Sequence, residues 1–273
     1  MEPITVALAA SVVRPRKADS YKGDYGRVVI VGGNALYGGA VIMAAQAAVA
    51  AGAGLVSVVT AGINRTALHA RLPEAMVLDW TEDFTFLLKN ADVVVVGPGL
   101  GLEPEGQRVL TTTLTHLKQG CALVIDGSAI TLWAAGGFPA PPATTVWTPH
   151  AGEWQRLSGL RLEQQTPSAN QQAANRLPGV VVVKGHRSQL HGQTVSYQNT
   201  VGTPAMATGG SGDTLTGVIA AFIAQFGWRD DVVAAAVFVH SAVAEELAAN
   251  QYVVLPSQVA RAIPRYMTRL SCK

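Results

Sequence analysis

A run of small residues in the C-terminal third of the chain ends in a single carboxylate. Gly209, Gly210, Ser211 and Gly212 lead directly into Asp213. Apolar residues then recur at the spacing of one helix face, at positions 215, 218, 219, 222, 223 and 226. The small residues therefore lie at a helix N-terminus, where unpaired N–H groups and the helix dipole favour a bound phosphate. We predict an anion hole over 209–212 with Asp213 beside it.

Asp213 has two interpretations at this position. Beside a phosphoryl group in transfer, its carboxylate is a general base. A carboxylate in the first turn of a helix also stabilises that helix by about 0.3–1 kcal/mol, so a structural role stays open. The spacing favours the base.

Composition bounds the class of protein. Of the 273 residues, 49% are hydrophobic and 14% charged, which favours strands buried on both faces or a large oligomer interface. The net charge is +2 without a Lys/Arg cluster, so we expect no nucleic-acid partner. The cysteines Cys121 and Cys272 form no CxxC pair, the N-terminus is a poor signal peptide, and the apolar stretches 40–51 and 232–244 are too short for a bilayer. We expect a soluble, cytoplasmic protein with no membrane partner.

Short apolar strands alternate with helical patterns along the chain. Strands are predicted at 27–33, 55–60, 75–78, 91–96, 121–125, 144–147 and 180–183, with a hairpin at 188–190 and 194–197. Helices are predicted at 4–13, 40–51, 63–70, 104–118, 153–157, 168–176, 210–226, 230–249 and 256–268, and a surface loop at 134–143. This alternation predicts an α/β fold: one domain over 1–273, with a mostly parallel central sheet and helices on both faces.

Loops that contain glycine, most of them together with charged residues or histidine, follow the predicted strands, at 32–39, 97–101, 126–128, 148–153 and 184–188. Ligands of open α/β sheets bind beyond the carboxyl ends of strands, so these loops should face one crevice. The sequence contains no Walker A loop, and the glycines at 97, 99 and 101 fail the dinucleotide fingerprint at its last position. A nucleotide is therefore held in some other way.

The segment from Ala207 to Gly217 resembles the signature of the ribokinase-like superfamily, in which a glycine-rich anion hole ends in the catalytic Asp. Further segments occur in the order of one branch: Lys22-Gly-Asp-Tyr-Gly-Arg27, Val31-Gly-Gly-Asn-Ala-Leu-Tyr-Gly-Gly-Ala40, Gly97-Pro-Gly-Leu-Gly101, Thr148-Pro-His-Ala-Gly-Glu153, Val183-Lys-Gly185 and Asn199-Thr-Val-Gly202. Together they look like the ADP/ATP-dependent NAD(P)H-hydrate dehydratases, the C-terminal part of YjeF-type repair proteins. The resemblance covers about residues 17–250.

This resemblance implies an enzyme that repairs hydrated NADH and NADPH (NADHX and NADPHX). ADP or ATP phosphorylates the hydroxyl on carbon 6 of the S-epimer, phosphate leaves, and the double bond returns. The resemblance further implies Mg²⁺, a homo-oligomer, expected as a tetramer, and cooperation with a separate epimerase, for which the chain lacks room.

The resemblance also assigns roles to individual residues. Asp213 is the base, and the hydrated cofactor contacts Ala40, Gly101, His150 and Asp213. The nucleotide contacts are Gly212 and the loop of Lys184, Gly185, His186, Arg187 and Ser188. The alternatives are close packing for Ala40, a tight turn for Gly101, a structural histidine for His150 and a basic hairpin tip for the loop.

Two carboxylates fit the resemblance less well. Glu153 is a candidate metal ligand, but His150 stands where superfamily kinases have Asn, and a carboxylate that stabilises its own helix is the alternative. Asp126 is a weak candidate, since Asp126-Gly-Ser-Ala departs from the longer acidic pattern of the family.

Two other functions remain open from the sequence. A kinase for a small alcohol, such as a thiazole or pyrimidine alcohol, would use the same anion hole and Asp213, but would not need Ala40, Gly101 and His150 for a dinucleotide. A non-catalytic nucleotide sensor would have no use for a base in the anion hole.

Overall fold

The computed structural model describes residues 1–142 and 144–272. Ten strands in this part of the chain belong to one sheet. They are β1 (Glu2–Ile4), β2 (Arg27–Val31), β3 (Leu55–Thr60), β4 (Met76–Asp79), β5 (Val93–Val96), β6 (Ala122–Ile125), β7 (Thr145–Trp147), β8 (Val180–Val183), β9 (Gln189–His191) and β10 (Ser196–Asn199).

The strand order is β1-β10-β9-β8-β7-β6-β5-β2-β3-β4. Neighbours run parallel except where β9 pairs with β8 and β10. The mostly parallel sheet is therefore confirmed, and so is the hairpin, in which Tyr197 lies opposite Leu190.

The helices surround this sheet. They are α1 (Val6–Val12), α2 (Gly38–Ala50), α3 (Arg65–Arg71), α4 (Thr85–Leu88), α5 (Pro104–Thr115), α6 (Gly127–Ala135), α7 (Ala151–Ser158), α8 (Pro167–Ala174), α9 (Ser211–Phe226), α10 (Asp230–Ala248) and α11 (Pro256–Ser271). No helix in the described ranges is long and apolar enough to cross a membrane.

The strands are buried on both faces, which is why they read as continuous apolar runs. Alternate residues of a strand point to opposite faces. Val28 and Ile30 join the hydrophobic layer that includes α2, α9 and α10. Val29 and Val31 join the layer that includes α5, α6 and α7. Helices on both faces are thus confirmed.

Three elements were not predicted, because none of them shows the hydrophobic periodicity of a strand or a helix. β1 and α4 are too short to show a period, and α6 is apolar on nearly all sides. The helix predicted at 4–13 is correct only from Val6, because residues 2–4 form β1. The loop predicted at 134–143 is wrong at its start, since Ala134 and Ala135 belong to α6, and Ala143 lies outside the described residues.

Close packing of two helices fixes the position of the predicted catalytic segment. A Cβ at Gly217 of α9 would lie 2.0 Å from the carbonyl oxygen of Ala44 in α2. Gly210, just before α9, adjoins Met43 in the same way. The start of α9 is therefore held against α2 at the carboxyl edge of the sheet.

Candidate active site

The loops predicted to share a crevice form a continuous row. The N–H groups of Gly33 and Asn34 donate to the carbonyls of Pro98 and Gly99, at 2.8 and 2.7 Å. Next along the row, the N–H of Gly101 donates to Ser128 Oγ at 3.1 Å. The N–H of Lys184 donates to the carbonyl of Pro149 at 2.8 Å. The predicted juxtaposition is confirmed.

A cavity of about 630 Å³ opens at one end of this row. The loops after β6, β7 and β8, the segment 202–207, the start of α9 and one side of α10 line it. The predicted residues on its wall are His150, Glu153, Lys184, Gly185, His186, Ser188, Gly210, Ser211, Gly212 and Asp213, together with Asp126. Arg187, Gly209, Ala40 and Gly101 are not among the lining residues.

The anion hole predicted over 209–212 includes Gly210, the residue that precedes α9. Its φ of 98° lies in the left-handed region, where glycine is favoured, and no side chain caps the N-terminus of α9. The first N–H groups of this helix are thus directed at the cavity without a side-chain acceptor. Ser211 Oγ donates to the carbonyl of Met206 at 2.7 Å, which ties the glycine-rich turn to the segment 202–207.

Asp213 lies in the first turn of α9 but does not cap it. Within the described ranges, no hydrogen bond reaches its carboxylate, while its carbonyl accepts one from Thr216 Oγ1. Burial, and then repulsion from Asp126 and Glu153, raise the pKa of Asp213 to about 7, against the attraction of Lys184. A desolvated carboxylate that is half ionised near neutral pH is suited to accept a proton.

Lys184 is the cation that faces this carboxylate. Its Nζ lies 2.6 Å from Asp126 Oδ1, and its side chain is 18% exposed. Burial lowers the pKa of Lys184, but the attraction of Asp126, Glu153 and Asp213 outweighs burial and raises it. A Cβ at Gly212 would lie 3.0 Å from the Lys184 ammonium, so glycine here leaves space between the ammonium and the helix N-terminus. Both groups attract anions.

Asp126 makes more contacts within the site than the sequence led us to expect. Its Oδ1 accepts from Lys184 and also from Thr148 Oγ1, at 2.8 Å, and its side chain is buried. The signal in the sequence was its position directly after β6, at the edge where the crevice was expected.

His150 and Glu153 hold the start of α7. His150 Nδ1 accepts from the N–H groups of Gly152 and Glu153, at 3.0 and 3.2 Å, and Glu153 Oε2 accepts from the N–H of His150 at 2.8 Å. This capping box supports the structural alternative for Glu153. His150 Nε2 remains at the cavity, 3.4 Å from Glu153 Oε1, and the His150 side chain is 58% exposed.

Ala40 and Gly101 lie further along the row of loops. Ala40 is in the first turn of α2, where its Cβ would be 3.0 Å from a Cβ at Gly99. Gly101 has a φ of 84°, and a Cβ there would lie 2.6 Å from Asn34 Nδ2. Both positions extend the crevice away from the cavity, as a long ligand would require. Their roles remain predictions.

The sequence did not predict the wall of the cavity that α10 forms. Val237, His240 and Ser241 of α10 line it, and His240 Nε2 lies 2.9 Å from Thr214 Oγ1, next to Asp213. His240 lacks ligand spacing and lies in an alanine-rich helix, so no pattern in the sequence identifies it.

Comparisons with known proteins identify the family of this chain. The family described as NAD(P)H-hydrate dehydratase matches residues 28–265. A protein of Lactiplantibacillus plantarum named ADP-dependent (S)-NAD(P)H-hydrate dehydratase is 51% identical over 275 residues, covering 99% of this chain and 98% of the relative.

Solved structures have the same fold. A ribokinase-like superfamily protein from Enterococcus faecalis has a TM-score of 0.97 and 44% identity, covering 100% of this chain and 97% of its own. The ADP/ATP-dependent NAD(P)H-hydrate dehydratase of Bacillus subtilis, co-crystallised with ATP and Mg²⁺, has a TM-score of 0.87 and 25% identity, with 98% of each chain covered.

Proposed function

This chain belongs to the NAD(P)H-hydrate dehydratase family, and we propose that it regenerates NAD(P)H from the S-epimer of its hydrate in the cavity around Asp213. An adenine nucleotide, ADP or ATP, is the phosphoryl donor. The observation that carries the proposal is the uncapped, desolvated Asp213 at a helix N-terminus, facing Lys184.

Asp213 starts the reaction as the general base. Its carboxylate takes the proton from the hydroxyl on carbon 6 of the hydrated nicotinamide as that oxygen attacks the terminal phosphorus of the donor. The pKa of about 7 keeps a large fraction ionised at neutral pH. A base of this kind contributes about 10²–10⁴-fold to the rate.

Lys184 and the first turn of α9 bind the group being transferred. The ammonium and the N–H groups beyond Gly210 are directed at the same space, and both stabilise negative charge on phosphoryl oxygens. Phosphoryl transfer depends mainly on such positioning and charge stabilisation. Gly185, His186, Arg187 and Ser188 continue the nucleotide site.

The second step restores the nicotinamide. The bond between carbon 6 and the phosphate oxygen breaks with both electrons leaving on phosphate, the ring nitrogen donates its lone pair, and a proton leaves carbon 5. The products are NAD(P)H, inorganic phosphate and the donor with one phosphate fewer. We place His150, Ala40 and Gly101 along the hydrated cofactor, because they mark the crevice that leads away from Asp213.

The residues of this site fit a magnesium ion that binds together with the nucleotide. The carboxylates Asp126, Glu153 and Asp213 surround one ammonium, Lys184, and carboxylate oxygens are ligands that Mg²⁺ prefers. The described residues contain no cluster of three or more ligating side chains, and Mg²⁺ is usually bound by few carboxylates plus phosphate and water. Glu153 Oε1, which the capping box does not use, would hold the ion; when bound, the ion would offset charge on the phosphates.

The small-alcohol kinase is the less favoured function. It shares the anion hole and Asp213, whereas relatives of about half identity over nearly the whole chain are named dehydratases. The decisive experiment incubates the protein with hydrated NADH, Mg²⁺ and ADP or ATP. We expect recovery of the absorbance of reduced nicotinamide with stoichiometric phosphate release. A stable phosphorylated product without absorbance recovery would instead support a kinase.

The proposal also includes the oligomeric state and the cellular location of the protein. We propose a homotetramer, since Leu36, Ile63 and Tyr252 expose 77%, 74% and 98% of their surface, as interface residues of a free subunit would. Light scattering on the purified protein tests this. We also propose a cytoplasmic location and cooperation with a separate epimerase that converts the R-epimer, which the dehydratase would not accept.

A further inference from the structure

The wall formed by α10 carries two polar side chains that the mechanism above does not use. His240 is 3% exposed and Ser241 is 9% exposed, and both line the cavity. Val237, Leu215 and Met206 form apolar surface in the same cavity. An apolar wall with a few polar side chains is typical of a small-molecule binding site.

The hydrogen bonds around Thr214 fix the tautomer of His240. Thr214 Oγ1 lies 2.9 Å from the carbonyl oxygen of Ser211 and 2.9 Å from His240 Nε2. The hydroxyl has one hydrogen and the carbonyl can only accept, so both contacts are hydrogen bonds only when the hydroxyl donates to Ser211. His240 Nε2 must then carry a proton and donate it to Thr214.

His240 Nδ1 consequently bears a lone pair. Burial lowers the pKa of His240 to about 4, so the ring is neutral under physiological conditions. In the described part of the chain, the buried side-chain atoms that are both sealed and unpartnered are Asn199 Oδ1 and Thr208 Oγ1. Nδ1 has no partner there either and is not among the sealed atoms, and since His240 lines the cavity, Nδ1 is the acceptor that this residue offers to a ligand.

Ser241 offers a hydrogen-bond donor instead of an acceptor. Its Oγ accepts from Asn199 Nδ2 at 2.9 Å, and the same Nδ2 donates to the carbonyl of Val201 at 3.0 Å, which fixes the orientation of the amide. The hydroxyl hydrogen of Ser241 has no acceptor within residues 1–142 and 144–272. Ser241 is thus a donor one residue from the acceptor at His240.

This donor–acceptor pair is continuous with the nucleotide loop. The N–H of Asn199 donates to the carbonyl of Ser188 at 2.9 Å, so the residue that holds Ser241 also holds the end of the loop 184–188. A base bound here would remain attached to phosphates near Lys184 and Gly212.

We infer that His240 and Ser241 read the base of the phosphoryl donor and select a 6-aminopurine over a 6-oxopurine. The amino group of adenine donates to His240 Nδ1, and a ring nitrogen beside it accepts from Ser241. Hypoxanthine presents a carbonyl oxygen to the lone pair of His240. The inference rests on the proposed function in taking a nucleotide as the donor.

The test compares ADP with inosine diphosphate, which differs from ADP at this edge of the base. We expect the wild type to favour ADP by about 10- to 100-fold in kcat/KM, the usual consequence of an unmatched buried polar group. In Ser241→Ala, KM for ADP should rise about 10-fold while KM for inosine diphosphate changes less. Ser11→Ala, on the exposed side of α1, is the matched control and should leave both unchanged.

Ser241→Ala should fold, because Asn199 Nδ2 keeps its bond to Val201; the melting temperature checks this. Equal use of both nucleotides by the wild type, or an unchanged ratio in Ser241→Ala, would overturn the inference. So would a higher KM for the hydrated dinucleotide alone, since the pair would then hold the nicotinamide carboxamide. If no dehydration occurs but calorimetry shows ADP bound at least 10-fold more tightly than inosine diphosphate, the inference stands and the proposed reaction fails.

Discussion

Asp213→Asn should lower the rate of dehydration by about 10²–10⁴-fold and stabilise the fold at the same time. The pKa of Asp213 is raised from 3.8 to about 7, mainly by burial. Each pKa unit corresponds to about 1.36 kcal/mol, so ionised Asp213 costs the folded state about 4 kcal/mol above pH 7. Asn has nearly the same shape without the charge, and we expect it to raise the free energy of unfolding by about 2–4 kcal/mol at pH 8.

The pH dependence follows from the sign of the shift. Between pH 3.8 and about 7 the unfolded chain ionises Asp213 while the folded protein resists, so wild-type stability falls as pH rises through this window. Above pH 7 the loss is complete. The difference between Asp213→Asn and the wild type should therefore be large at pH 8 and shrink as pH falls toward 4.

Urea unfolding at pH 8, 6 and 4.5 measures this difference, and the dehydration assay measures the loss of turnover. Asp83→Asn is the matched control, because Asp83 accepts from the N–H of Thr85 at 2.9 Å and hydrogen bonds lower its pKa, as in a capping carboxylate. Relative to the wild type, Asp83→Asn should not become more stable as the pH rises. If Asp213→Asn behaved like Asp83→Asn and kept its activity, Asp213 would be a structural residue and our reasoning would be refuted.

Further predictions concern the same cluster and its support. The kcat of the wild type should fall about tenfold per pH unit below about 7, as Asp213 becomes protonated, in a pH–rate profile. Lys184→Met should weaken nucleotide binding by at least about tenfold in calorimetry, since it removes the cation at the anion hole while the helix N-terminus remains. Asp126→Asn should move the acidic limb of the pH–rate profile to lower pH, because it removes a repulsion that raises the pKa of Asp213. Gly217→Val should destabilise the protein by about 3 kcal/mol or more in urea, because a side chain there meets the backbone of α2.

Much of the fold was predictable because its strands are simple. The valines of β5 and β8 are buried on both faces, and a run of this kind has few other interpretations. α9 was predicted from the spacing that starts at Leu215, although the structure buries nearly every side of residues 214–223. Helix ends were less accurate, as with the helix predicted at 104–118 that ends at Thr115, because local packing rather than composition determines the last turn.

The site was predictable where glycines and strand ends marked it, and not where packing built it. Asp213 and Lys184 follow recognisable backbone features. His240 acquires its environment from Thr214, 26 residues away in the sequence, through the packing of α10 on α9. Asp126 gained its importance in the same way, through its contacts with Lys184 and Thr148, which only the sheet order brings together.

The arrangement of Asp126 and Lys184 explains how a carboxylate beside an ammonium can remain a base. If Lys184 paired with Asp213, the ion pair would lower the pKa of Asp213 and weaken its basicity. Instead, Lys184 Nζ lies 2.6 Å from Asp126, which is itself held by Thr148. Burial is the main cause of the raised pKa of Asp213, and Asp126 adds repulsion while it serves as the counterion of Lys184. The pKa of the base therefore stays near 7 while the ammonium remains beside the anion hole. The cluster keeps the proton acceptor and the phosphate-binding cation close together without letting them neutralise each other.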